Sequence, residues 1–154
     1  MKQESGRSMI EMMGVLAIMG VITVAAIAGI NSAMNMQKRN TVNDEVLQMV
    51  AQVRQTFSEY DDFSNINNAT IFGAIGMSNQ NPYGGAYEIS VNPSNSRQFV
   101  ISITGLSKSD CEYFVTKGWD GSVGYEMSGR TQSGASGDCT SSGDQNVVQI
   151  TYGE

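Results

Sequence analysis

The sequence predicts an α+β protein in which one long N-terminal helix packs on a small antiparallel sheet. Three observations point there. An apolar run near the start continues directly into an amphipathic helical pattern. Two alternating segments flank a turn in the middle of the chain. The C-terminal third mixes one short helical pattern with a glycine- and serine-rich stretch and a final apolar alternation.

The long helix comes first. From Met12 to Ile30 there are nineteen residues, of which only Thr23 is clearly polar. At about 1.5 Å per residue such a run matches the hydrocarbon thickness of a bilayer. An ordinary secretory signal has an apolar core of about 7–15 residues, shorter than this one. The run is bounded by Glu11 on one side and by Lys38 and Arg39 beyond the other. No proline interrupts the next segment. Val42, Val46, Met49, Val50, Val53, Phe57 and Tyr60 then recur at spacings that make one apolar stripe. The opposite face carries Asp44, Glu45, Gln52, Arg54, Gln55 and Glu59. One helix from about Ser8 to Phe57 or slightly beyond is the simplest reading.

Asp61 to Pro82 is punctuated by Asn, Ser and Gly and reads as a loop. It lays Ile71, Phe72 and Ile75 over the core, with room for a short helical turn. Ala86 to Val91 and Gln98 to Thr104 alternate apolar and polar residues, and NPSNS between them is turn chemistry, so they form a hairpin. Leu106 to Gly118 returns to a helical pattern that Ser107 or Ser109 caps and Gly118 ends. Gly121 to Met127 and Val147 to Tyr152 are further strand candidates around the excursion Ser128–Asn146, and Trp119 caps the small core.

Composition narrows function. The chain of 154 residues carries a formal charge of −6, which argues against nucleic acid as a bulk electrostatic partner. It has no histidine, so catalysis by a Ser-His-Asp or Cys-His arrangement within this chain is excluded. No phosphate-binding glycine loop, CxxC pair or metal-spaced cluster is visible. The expectation is a non-enzymatic protein without cofactor or metal.

Glu11 is the unusual residue. A carboxylate at the membrane centre costs about 2.5–3.5 kcal/mol on insertion scales, less near the interface, and such an acid is a functional candidate by default. With its surroundings, GRSMIEMMGVLAIMG resembles the class III signal of type IV pilins and pseudopilins. In that family a membrane peptidase cuts after a glycine, and a glutamate stands fifth from the cut. The resemblance implies cleavage between Gly6 and Arg7, possible N-methylation of Arg7, and an assembly role for Glu11. There the carboxylate pairs with the terminal amine of a neighbouring subunit, the cationic partner that an apolar bundle demands. Arg7 stands where the family commonly has Phe or Met, and Ala28 and Gly29 stand where many members have a kinking proline.

The implied organisation is a leader over 1–6, a transmembrane and assembly helix over 7–30, its amphipathic second half over 31–60, and a globular pilin domain over 61–154. Its implied partners are further copies of itself, prepilin peptidase, inner-membrane assembly machinery and, before assembly, the membrane. The implied location is an inner-membrane single-pass precursor, then an extracellular or periplasmic filament. Cys111 and Cys139 lie in the part then placed outside, and an even count in an oxidising compartment reads as one disulfide; free thiols or a metal pair are the alternatives. A C-terminal loop over 111–139 stapled in this way resembles the D-region of type IV pilins, and the helix inside it resembles the type IVb branch. A minor pilin or type II secretion pseudopilin fits the same signal, and a membrane-anchored periplasmic binding domain is the reading from another class.

Overall fold

The computed structural model describes residues 4–127, 130–132 and 134–154, with side chains over 8–124 and 134–154. It has the expected α+β class. Internal contacts divide the chain into two compact units, Met1–Lys38 and Arg39–Glu154. Helix α1 spans Glu4–Thr56, close to the expected bounds.

In the second unit, the stripe of α1 is buried as its spacing requires. Val42, Val46, Met49, Val50 and Val53 enter one core with Ile71, Phe72, Phe114, Trp119 and the inward faces of the strands. Tyr60 departs from the expectation, being 63% exposed. Phe57 still donates its N–H to Val53 O (2.9 Å), but the chain then turns, and Tyr60 N–H goes to Phe57 O (3.1 Å). The ring therefore leaves the stripe and meets only the edge of the core.

Helix α2 (Asn68–Ile75) is longer than the anticipated turn, and its caps explain why eight residues suffice. Asn67 accepts from Ala69 N at 2.9 Å, and Gly76 closes the far end with φ 66°, a left-handed conformation that glycine adopts without penalty.

Strands β1 (Tyr87–Asn92) and β2 (Asn95–Leu106) form the expected hairpin. Strand β6 (Asn146–Gly153) pairs with the far side of β2. Between them in sequence lie α3 (Lys108–Thr116), β3 (Tyr125–Met127), β4 (Arg130–Gln132) and β5 (Ala135–Gly137). The main sheet is antiparallel with order β1-β2-β6-β5, while β3 and β4 make a separate ribbon. Register places Ile89, Ile101, Ile150 and Ala135 opposite one another across all four strands, a single apolar row.

Neighbouring segments cover part of the β1 edge and the far side of β6. On β1, Tyr87 N–H donates to Asn79 O (2.6 Å) and Ile89 N–H to the Asn68 side-chain oxygen (2.7 Å). On the other side, β6 is flanked by β5, by Val123 N–H to Thr151 O (2.8 Å) and by Thr151 N–H to Gly134 O (2.9 Å).

Three expectations need correction. Leu106 ends β2 and does not start α3, because its side chain is fully buried on the sheet. Ser107 is the N-cap of α3, but the helix stops at Lys117, whose extended backbone (φ −69°, ψ 136°) ends it before Gly118. Of the strand expected over 121–127 only β3 forms, paired with β4 and not with the main sheet.

Cys111 and Cys139 are joined, with Cα atoms 5.6 Å apart, and neither cysteine is free. Close approach makes this possible. A Cβ on Gly137 would stand 2.7 Å from Val147 O and 3.1 Å from Val115 Cγ2, so only glycine lets β5 lie between β6 and α3.

Candidate functional site

The site of the sequence reading lies on the first unit. Gly6 and Arg7 fall within the bounds of α1, and Glu11 is one helical turn beyond Arg7 and exposed. The side chain of Arg7 lies outside the described residues. Around and after Glu11 the helix is apolar on every face: Met9, Ile10, Leu16, Ile22, Ile27 and Met34 are all more than half exposed. An 18-residue window of this helix reaches a mean hydropathy of 2.4 with none of it buried in the fold, enough by length and composition to span a membrane. That is far more contiguous apolar surface than a water-soluble monomer tolerates. Thr23, the one clearly polar side chain of the run, donates its hydroxyl to Met19 O (2.8 Å) and so presents no unsatisfied donor to an apolar surrounding. At 100° per residue Gly14 and Gly29 lie about 60° apart, whereas Gly20 is on the opposite side from Gly29; the glycines do not form one seam.

On the second unit, polar contacts fasten α1 to its neighbours. Arg39 Nε and Nη2 reach Asp110 Oδ1 at 2.9 and 2.8 Å, and the guanidinium lies 4.3 Å from the centre of the Tyr113 ring. Ser107 Oγ donates to the other oxygen of Asp110 (2.7 Å). Burial opposes the charge of Arg39, but the hydrogen bond and charge of Asp110 outweigh it and raise its pKa. Tyr87 donates to Glu45 Oε2 at 2.5 Å; burial first, then that carboxylate, push its pKa up. Lys117 donates to Asn43 and lies over Trp119, 4.2 Å from the ring centre; burial lowers its pKa against the pull of Asp120 and Asp44. These groups are held by partners and act as fasteners. No group of three or more His, Cys, Asp or Glu gathers in metal-holding geometry among the described residues.

Two clefts flank Tyr60. One, of about 650 Å³, is lined by Arg54, Asp61, Asp62, Phe63 and Arg97 among others. The second, of about 400 Å³, is walled by Phe57, Tyr60, Asn65, Asn67, Thr70 and Ile71, and every residue lining it is uncharged. Sequence reasoning missed this cleft because Tyr60 continues the spacing of the core stripe. The signal available was its place after the last helical turn, beside an Asn-rich segment.

No family model, curated protein or solved structure matches this chain.

Proposed function

We propose that the chain is a structural subunit of a type IV pilus-like filament. Prepilin peptidase cleaves it after Gly6, and it polymerises through its N-terminal helix. The observation that carries this reading is the stretch of α1 from Met12 to Ile30, apolar on all faces and exposed, with the carboxylate of Glu11 at its edge. Such a surface requires lipid or other copies of itself to cover it. A carboxylate taken into an apolar bundle requires a cation, and the amine freed at Arg7 supplies one. The small disulfide-linked α+β unit that follows suits a domain displayed outside the membrane.

In this reading the chain is an inner-membrane single-pass precursor that passes into an extracellular or periplasmic filament. Its partners are further copies, the peptidase and the assembly machinery, and it performs no catalysis. Intact mass and N-terminal sequencing of protein recovered from cells test it. The expected chain starts at Arg7, with or without a methyl group; a chain retaining Met1, or starting after the Ala-rich stretch, refutes cleavage at Gly6. Glu11→Ala is expected to abolish filaments while leaving the second unit folded by circular dichroism, and abundant filaments from that variant would refute the role of Glu11.

The same N-terminal signal fits a second reading, a minor pilin or type II secretion pseudopilin. Abundance in sheared filaments separates the two, since a major subunit dominates. The uncharged cleft beside Tyr60 favours a membrane-anchored periplasmic binding domain, which would keep Met1 and remain monomeric in detergent.

A further inference from the structure

We propose that the cleft between the end of α1 and α2 binds a neutral pyranose sugar, with Tyr60 as the platform on which the ring stacks. The inference concerns the second unit alone and is independent of how, or whether, the chain polymerises.

Four observations carry it. Tyr60 is a large aromatic left 63% exposed in a unit that buries its other apolar stripe residues fully or in part. Its ring is backed by Phe57 (centroids 5.5 Å apart, planes at 55°), and Phe57 is backed by Phe63 at 5.6 Å, so the platform is firmly supported. The lining is uncharged although the chain carries a net charge of −6, which selects against ionic ligands on desolvation grounds. Around the aromatic wall stand two amides and a hydroxyl, Asn65, Asn67 and Thr70, all exposed.

A pyranose matches this pattern. Its axial C–H face is apolar and weakly electropositive and suits the negative face of an aromatic ring, while its rim of hydroxyls needs neutral donors and acceptors. Asn67 turns its carbonyl oxygen to Ala69 N–H as the cap of α2, so its NH₂ group is what it has to offer a sugar oxygen. Ile71 and Phe57 add apolar lining, which suits a small apolar substituent such as an acetamido methyl. A volume of about 400 Å³ admits one or two sugar rings.

The test uses the full chain in lauryl dimethylamine oxide micelles, because a maltoside detergent would itself compete for the cleft. Methyl N-acetyl-β-glucosaminide is the probe and methyl β-glucuronide the charged control. Saturation-transfer NMR is expected to show contact at the ring and acetamido protons of the neutral sugar, with a dissociation constant of about 1 mM as befits an open cleft. The glucuronide is expected to bind about threefold more weakly or worse, from the cost of desolvating its carboxylate together with the loss of the acetamido contact. Tyr60→Ala is expected to weaken binding at least about tenfold, and Tyr60→Phe, which keeps the platform, by no more than about twofold. Circular dichroism is expected to show both variants folded, since the side chain is exposed and lies beyond the helix end. Absence of transfer in the wild type, equal binding of the glucuronide, undiminished binding in Tyr60→Ala, or equal loss in Tyr60→Phe would each overturn the assignment.

Discussion

Removing the disulfide by Cys111→Ala with Cys139→Ser should lower the stability of the second unit by a calculable amount. Alanine is required at 111 because that side chain is fully buried, and serine is tolerated at the half-buried 139. The two cysteines are 28 residues apart. In the chain-entropy account a loop of that size limits the unfolded ensemble by about 12 cal/mol/K, or about 3.6 kcal/mol at 25 °C. Against a stability of about 5–15 kcal/mol for such a domain, that is a quarter or more of the total. Trp119 is the only tryptophan of the chain; it is buried, stacks on Phe114 at 6.0 Å and lies just beyond α3, so its fluorescence reports this region. With a urea m-value of about 1.5 kcal/mol/M, the midpoint should fall by about 2 M with m unchanged. A fall below about 0.5 M at constant m would refute the reasoning, because the excursion before β6 would then be held by its own contacts and not by the cross-link.

Four further outcomes follow from the fasteners and the core. Tyr152→Phe should leave stability unchanged or raise it by about 1 kcal/mol in the same urea titration, since the Tyr152 hydroxyl is buried without a hydrogen-bond partner among the described residues. Burial lifts Tyr83 and Tyr152 to a pKa of about 12, opposed at Tyr152 by Arg54. A pKa raised on folding means that the native state keeps protons the unfolded state has lost; the stabilisation is complete below about pH 10 and disappears as pH rises towards 12, which alkaline unfolding followed by Trp119 emission should trace. Arg39→Ala should cost about 1–2 kcal/mol by urea midpoint, because Asp110 is buried and loses its cation while the half-exposed arginine softens the loss. Arg39→Lys should recover only part of it, lacking the fork on Asp110 and the flat group over Tyr113.

What the sequence made legible was whatever has a period. The stripe from Val42 to Val53 and the alternation of Tyr87, Ile89, Phe99, Ile101 and Ile103 are repeated side-chain decisions, and repetition survives errors at single residues. Features held by single contacts were not legible. Tyr60 matches the stripe spacing, but the helix had already ended at Thr56, and spacing cannot register a turn in the backbone. Helix α2 owes its length to Asn67 and Gly76 at its ends more than to its apolar content. Strand β5 is Ala-Ser-Gly, without β propensity; it exists because β6 offers an edge and Gly137 permits contact with α3. Gly6, Arg7 and Glu11 were legible as a motif in one line of sequence, whereas the proposed cleft required the end of α1 and the start of α2 to be brought together in space.

The sheet edges bear on crowding. An open β-strand edge is a template on which another copy adds its own strand, and repeated addition leads to cross-β aggregates. Here Asn79 and the Asn68 side chain occupy the outward N–H groups of Tyr87 and Ile89, and the strand at the other edge, β5, is only three residues long. Both features limit strand addition through the sheet. Whatever association the molecule undergoes is thereby directed to its helix and its side-chain surfaces, where contacts are reversible and set by shape.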